Sequence, residues 1–245
     1  MNRTGIAPQG FYTLIKPEVA DILGEVSGFL DELGIKAYLV GGFVRDMLLG
    51  RETADIDIAV AGNALEIAAK AASVLGGKYV PLDEANRVAR VILITPAGDQ
   101  WQFDFTSFGG DIEQDLARRD FTIDAMAVDL NEFGTQPLSA GLIDPFHGWD
   151  DLRRRLVRVV SETAFTADAA RLLRAVRLAA ELDFTLDKAT EALVRRDSHL
   201  VSGVAGERTR EELLRLLAIP RAELLTYLDG LGLLAAIIPE LSQAK

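Results

Sequence analysis

Two aspartates two residues apart, in Ala54-Asp-Ile-Asp-Ile-Ala-Val60, constrain this chain more than any other feature. The alternation predicts a strand, which puts Asp55 and Asp57 on one face and Ile56 and Ile58 on the other. The isoleucine face must be buried. The opposite face must carry two like charges held close together. That face is either simply polar and solvated, or it seats a divalent cation that relieves the repulsion. Residues 100–106 repeat the pattern, with Trp101, Phe103 and Phe105 on one side and Gln102 and Asp104 on the other. Alone, Asp104 reads as an exposed strand residue. Together with Asp55 and Asp57 it completes three carboxylates that could hold two Mg²⁺ ions.

Composition narrows the chemistry. The chain has no cysteine and only two histidines, His147 and His199. Disulfides, thiol nucleophiles and Cys- or His-rich metal sites are therefore excluded, and any metal must sit on carboxylate oxygens, as Mg²⁺, Mn²⁺ or Ca²⁺ do. No apolar run reaches the length of a membrane span, and MNRTGIAPQG has no apolar core of the signal-peptide type. The expectation is a cytoplasmic protein with no membrane association.

The order of elements predicts an α+β protein in two domains, 1–149 and 150–245, with no low-complexity linker between them. The first mixes helices at 17–33, 43–49 and 64–75 with strands at 36–40, 54–60, 78–82, 87–95 and 100–106. Asn63 caps the third helix, Gly76-Gly77 stops it, and Pro96-Ala-Gly-Asp99 makes a hairpin turn. The second domain has a short strand at 156–160 and then helices at 166–182, 187–199, 206–217 and 220–231. Residues 1–150 hold 11 basic and 23 acidic side chains; residues 151–245 hold 15 and 14, of which 13 are Arg and only 2 are Lys. The chain's net charge of −11 argues against a non-specific nucleic-acid coat, while the Arg bias of the second half suits planar, bidentate contacts.

Just before the Asp-x-Asp strand lies Leu39-Val-Gly-Gly-Phe-Val-Arg-Asp-Met-Leu-Leu-Gly50. Two glycines between a strand and a helix let backbone approach a ligand closely, and a helix N-terminus offers N–H groups to phosphate. Gly-Gly, Arg45 and Asp-x-Asp within 17 residues form a specific constellation. LVGGFVRDMLLGRETADIDIAV resembles the first motif of class II tRNA nucleotidyltransferases and the related bacterial poly(A) polymerases, which are polymerase-β-like nucleotidyltransferases. The resemblance continues in order through Asp115-Leu-Ala-Arg-Arg-Asp-Phe-Thr-Ile-Asp-Ala-Met-Ala127, Ile143-Asp-Pro-Phe-His-Gly-Trp-Asp-Asp-Leu152, Asp168-Ala-Ala-Arg-Leu-Leu-Arg174 and Gly206-Glu-Arg-Thr-Arg-Glu-Glu-Leu213.

The resemblance implies a polymerase-β-like head with a mixed sheet, followed by an all-helical neck. It implies that Asp55 and Asp57 coordinate two Mg²⁺ ions with Asp104 as the third carboxylate, and that the 3′-hydroxyl of an RNA attacks the α-phosphorus of a nucleoside triphosphate. Gly41, Gly42 and Arg45 would cradle phosphates, with Asp46 orienting an arginine. Arg119 would contact sugar or phosphate and Asp120 ribose, unless the two simply pair to fix their loop. Asp168 and Arg171, at i and i+3 on one helix, would accept from and donate to the edge of cytosine or adenine and refuse guanine and uracil. Outside that context the same two residues read as an intrahelical salt bridge. Arg174 and Arg177 either bind phosphate or face solvent, and Glu207, Arg208 and Glu212 would brace the neck helices.

Two positions depart from the family pattern: Asp124 stands where Asn is usual, and Ala167 where Glu is usual. The implied partners are ATP, CTP and the 3′ end of tRNA. By resemblance, family members run beyond residue 245 into body and tail domains that hold tRNA, so this chain is expected to stop near the end of the neck. The rivals to a CCA-, CC- or A-adding enzyme are a poly(A) polymerase on the same site and a catalytically silent RNA- or nucleotide-binding module.

Overall fold

The alternating segment forms β2 (Asp55–Val60), and its two faces divide as their chemistry requires: Ile56 and Ile58 are fully buried, whereas Asp55 is exposed and Asp57 half-buried. A computed structural model describes residues 17–95, 98–135, 138 and 140–240 of the chain. Two compact units emerge. One comprises residues 1–117 and 124–146, the other residues 118–123 and 147–245.

The first unit is built on a mixed seven-stranded sheet. Its strands are β1 (Ala37–Val40), β2, β3 (Lys78–Asp83), β4 (Val88–Ile94), β5 (Gln100–Ser107), β6 (Ala127–Asp129) and β7 (Leu142–Ile143), in the order β3-β4-β5-β2-β1-β6-β7. Only β2 and β5 run parallel; every other pair is antiparallel. Leu39, Ile58, Phe105 and Ala89 share one row across the sheet, and all are fully buried. The adjacent row, Val40, Asp57, Asp104 and Arg90, emerges on the opposite face. The α3 helix (Ala64–Leu75) packs on β3, β4 and β5, and α1 (Pro17–Glu32) contacts α3. Val19, Leu23, Val26 and Leu30 on α1 are buried at helical spacing. Asn63 caps α3 as its chemistry predicts, accepting from the Leu65 N–H, and Gly76 ends it at φ +68°.

Several elements differ from their predicted form. The helix after the glycines, α2 (Gly41–Leu49), includes both of them, so the strand enters the helix with no intervening loop. A short helix, α4 (Ile112–Leu116), starts on Asp111, whose side chain accepts from the Gln114 N–H. Pro96 and Ala97 of the expected hairpin lie outside the described residues, as does the N-terminal decapeptide. Across that turn, Thr95 N–H donates to the Asp99 carbonyl at 2.9 Å.

Among the described residues the second unit is mainly helical, with a small parallel pair, β8 (Leu156–Val157) with β9 (Thr185–Leu186), and an isolated Phe121–Val159 bridge, so the expected all-helical neck contains a minimal sheet. Its helices are α5 (Gly148–Arg154), α6 (Ala164–Ala167), α7 (Arg171–Leu182), α8 (Lys188–Asp197), α9 (Gly206–Leu217), α10 (Glu223–Gly230) and α11 (Leu233–Ile237). Residues 118–123 join this unit by backbone pairing: Thr122 N–H donates to the Arg158 carbonyl at 2.8 Å, and Val160 N–H to the Asp120 carbonyl at 3.0 Å. The single helix expected over 166–182 is broken at Asp168, which is extended at φ −151° and ψ 105°. Its carboxylate accepts from the Ala170 N–H at 3.1 Å, and its carbonyl from the Arg171 N–H at 3.2 Å. A side chain that competes for backbone N–H groups ends one helix and starts the next. Among the described residues no helix is long and apolar enough to cross a membrane.

Candidate active site

In the first unit the predicted carboxylates stand together on the sheet. Asp57 on β2 and Asp104 on β5 are register partners across the parallel pair, and Asp55 lies two residues before Asp57 on the same face. Sequence reasoning did not single out the residue that completes this row. Arg90 on β4 is the register partner of Asp104 and grips it with both arms, Nε to Oδ1 at 2.6 Å and Nη2 to Oδ2 at 2.7 Å. Burial works against the Arg90 charge less than the Asp104 hydrogen bond favours it. The charges of Asp104, Asp55 and Asp57 add to the effect and hold the guanidinium above its ordinary pKa. No signal in the β4 sequence marks Arg90, because the residue acquires its meaning only from cross-strand register.

Val40, the last residue of β1, is the antiparallel partner of Asp57. The chain therefore passes from the acidic row directly into the first turn of α2. Gly41 takes φ +70°, a conformation that glycine adopts without steric cost. A Cβ at Gly42 would lie 3.3 Å from Nη2 of Arg45, so the absence of a side chain leaves room for the folded-back guanidinium. That guanidinium is held by two carboxylates: Nε and Nη2 donate to Asp46 at 3.0 and 2.9 Å, and Nη1 donates to Asp124 at 2.6 Å. Burial alone would lower its pKa, but Asp124 and Asp46 together raise it. Asp46 orients the arginine as expected. Asp124 accepts a charged hydrogen bond at a position where an Asn would present a neutral amide.

In the second unit, Asp120 is buried. Its carboxylate accepts from the Phe121 N–H at 2.9 Å and pairs with Nε of Arg174 at 2.9 Å. Arg174, on α7, is thus the ion-pair partner of Asp120, with its side chain 45% exposed. Arg119 is half-buried. Asp168 and Arg171 do not bridge to one another. Asp168 accepts from Nη2 of Arg208 at 2.8 Å, and Nη2 of Arg171 donates to the Arg118 carbonyl at 3.0 Å. Burial pushes the Asp168 carboxyl up, but Arg208, the Ala170 N–H and the Arg171 charge outweigh it and hold it below the usual carboxylate range. Arg177, open in sequence between phosphate and solvent, is buried and bonded to Glu212 at 2.5 Å and Glu181 at 2.8 Å. The bracing role expected of Arg208 and Glu212 therefore has definite partners.

As a cation site, the acidic row offers hard oxygen donors on a solvent-facing sheet surface. Among the described residues no group of three or more His, Cys, Asp or Glu side chains is gathered tightly enough to hold a metal ion. Asp55 and Asp57 suit Mg²⁺, which takes one or two carboxylates, keeps several waters and shares substrate phosphates. Asp104 already satisfies Arg90.

Comparison with known proteins places this geometry. Residues 37–97 and 95–158 match the family described as poly A polymerase head domain, and residues 183–245 match the family described as "Probable RNA and SrmB- binding site of polymerase A". The chain is 44% identical over 190 residues to the CC-adding tRNA nucleotidyltransferase of Geobacter sulfurreducens, covering 77% of this chain and 42% of that protein. It is 43% identical over 216 residues to the A-adding tRNA nucleotidyltransferase of Deinococcus radiodurans, covering 85% and 46%. The fold superposes on the Thermotoga maritima CCA-adding enzyme complexed with tRNA at a TM-score of 0.81 and 34% identity, covering 94% of this chain and 54% of that one. The chain thus spans about half the length of the relatives it matches.

Proposed function

The chain belongs to the class II tRNA nucleotidyltransferase and bacterial poly(A) polymerase family, and on that premise we propose that it adds C or A from CTP or ATP to the 3′ end of tRNA. One observation carries this reading: Val40 pairs with Asp57, so the first-turn N–H groups of α2, of the kind that bind phosphate, begin beside the acidic row. A triphosphate bound at Gly41 and Gly42 then has its α-phosphorus next to the carboxylates.

In the reaction, a bond forms between the RNA 3′-oxygen and the α-phosphorus. The bond from that phosphorus to the β-phosphate oxygen breaks, the hydroxyl proton is lost and pyrophosphate leaves. Asp55 and Asp57 hold Mg²⁺ in this reading, with Asp104 as the third carboxylate of the face. Mg²⁺ held there would supply the means to lower the pKa of the 3′-hydroxyl and to neutralise charge on the triphosphate, two ions being the number expected. Arg45, fixed by Asp46 and Asp124, shapes the glycine turn from beneath. In the second unit, Asp168 accepts from the exocyclic amine of cytosine or adenine, and Arg171 donates to the ring edge. Arg119 and the Asp120–Arg174 pair are assigned to sugar and phosphate contacts. Residues 1–149 serve as the catalytic domain and 150–245 as the nucleotide- and RNA-binding domain.

The test is CMP and AMP incorporation into a tRNA lacking its terminal CCA, compared between the unaltered chain and Asp57→Asn. Mg²⁺-dependent incorporation that the substitution abolishes supports the reading. Equal incorporation by the two proteins contradicts it, and extended poly(A) tracts on any RNA end would favour the polymerase instead.

A further inference from the structure

Three carboxylates share one sheet face, and β4 supplies a cation to one of them, Asp104, from within the chain. Arg90, Asp104 and Asp57 are successive members of one cross-strand row, so their side chains leave the sheet on the same side. Both flanking residues of Arg90, Ala89 and Val91, are buried on the other face, which fixes the side from which the guanidinium projects. Both oxygens of Asp104 accept from the Arg90 fork, with partial exposure of both side chains, 30% and 19%. The charges of Asp55 and Asp57, after the Asp104 hydrogen bond and charge, also favour the charged guanidinium.

We propose that Arg90 is the positioning residue for Asp104, and that a divalent ion approaching Asp104 competes with the Arg90 fork for its carboxylate oxygens. The inference rests on the reading that Asp55 and Asp57 hold the metal. An arginine fork matches a carboxylate with two parallel, charge-assisted bonds, which a lysine cannot reproduce. With Arg90 in place, Asp104 keeps its orientation without metal, and the entering ion meets a local competitor. The cost of releasing the fork sets the metal affinity. Asp104 is therefore an exchangeable ligand, unlike Asp55 and Asp57.

The test is Mn²⁺ binding, read as the loss of the free Mn²⁺ EPR signal, with no RNA or nucleotide present. Arg90→Lys and Arg90→Gln are measured with Asp104 intact and again in Asp104→Asn, with melting curves checking that each variant folds. Arg90→Lys keeps the charge and loses the fork, so it separates competition for Asp104 from a general change in field. With Asp104 intact, Arg90→Lys should tighten Mn²⁺ binding at least about threefold, and in Asp104→Asn it should change nothing, a coupling of the size contacting residues show. Unchanged affinity in Arg90→Lys, or equal shifts in both backgrounds, overturns the proposal while leaving the parent reading intact. Mn²⁺ binding that survives Asp55→Asn and Asp57→Asn overturns the parent reading and the proposal together.

Discussion

Asp168 takes its charged hydrogen bond from Arg208, 40 residues further along the chain, and not from Arg171 three residues away. The carboxylate proposed to read the base is thus positioned from α9, while Arg171 is tethered to the Arg118 carbonyl. Replacing Arg208 with Ala should cost less than about 1 kcal/mol of stability, since the pair is largely exposed. It should cut the preference for CTP and ATP over GTP and UTP by about tenfold, the scale on which one lost polar contact alters discrimination. The Asp168 pKa is depressed in the folded protein, so the contribution of the pair is present above the ordinary carboxylate value and is lost as pH falls through the depressed one. Arg208→Ala should move that loss to higher pH. Nucleotide affinities measured across an acidic pH series check both statements.

Asp55→Ala and Asp57→Ala should each reduce nucleotide transfer about 10³-fold or more, the scale of several kcal/mol of lost transition-state stabilisation. Neither side chain belongs to the core, and each removal relieves repulsion on the acidic face. Melting temperatures without Mg²⁺ should not fall. Single-turnover rates and thermal melts on the same preparations provide the comparison.

Arg45 behaves differently, because its role is bound up with the fold. Its guanidinium is 12% exposed and serves two carboxylates that are themselves nearly enclosed. Arg45→Ala removes the guanidinium that both share and should cost about 3–5 kcal/mol, the usual penalty for breaking a buried pair from one side. Asp124→Asn keeps Arg45 satisfied by Asp46 and should cost only about 1 kcal/mol. It also removes one negative charge beside the glycine turn, so triphosphate binding should strengthen. Urea denaturation orders the two stabilities, and nucleotide titration reads the affinity.

The charge distribution sets an expectation for RNA. Residues 1–150 carry a net −12, and basic side chains concentrate in the second half of the chain. Binding of tRNA to these 245 residues should be weak, with a slope of log K against log salt no steeper than about −3, the signature of few phosphate contacts. Isotherms at four salt concentrations suffice. A steep slope would reveal an extensive RNA grip on this chain.

The parts of the fold that sequence made legible are those with local signals. Asn63 and Gly76 bracket α3, and the Asp-Ile-Asp-Ile alternation assigned both faces of β2. The missed strands, β6 and β7, have three and two residues, too short for any period to appear. Asp168 looked like part of a continuous helix because its neighbours are good helix formers, and only its side-chain bond to the Ala170 N–H reveals the break. In the candidate site, the carboxylates were legible because Asp is unusual in strands. Arg90, Arg208 as the partner of Asp168, and Arg174 as the partner of Asp120 were not, because each pairing depends on register or helix packing between distant segments.

The central claim is template-independent addition of C or A to a tRNA end, directed by side chains. The most direct measurement supplies each of the four nucleoside triphosphates separately, with Mg²⁺, to tRNAs ending before CCA, after one C and after two, and resolves the products by length. The account predicts additions of one or two residues from CTP or one from ATP, none from GTP or UTP, and no product with Asp57→Asn. Equal extension from all four triphosphates, or none from a correctly folded chain that binds Mg²⁺ and nucleotide, would contradict it.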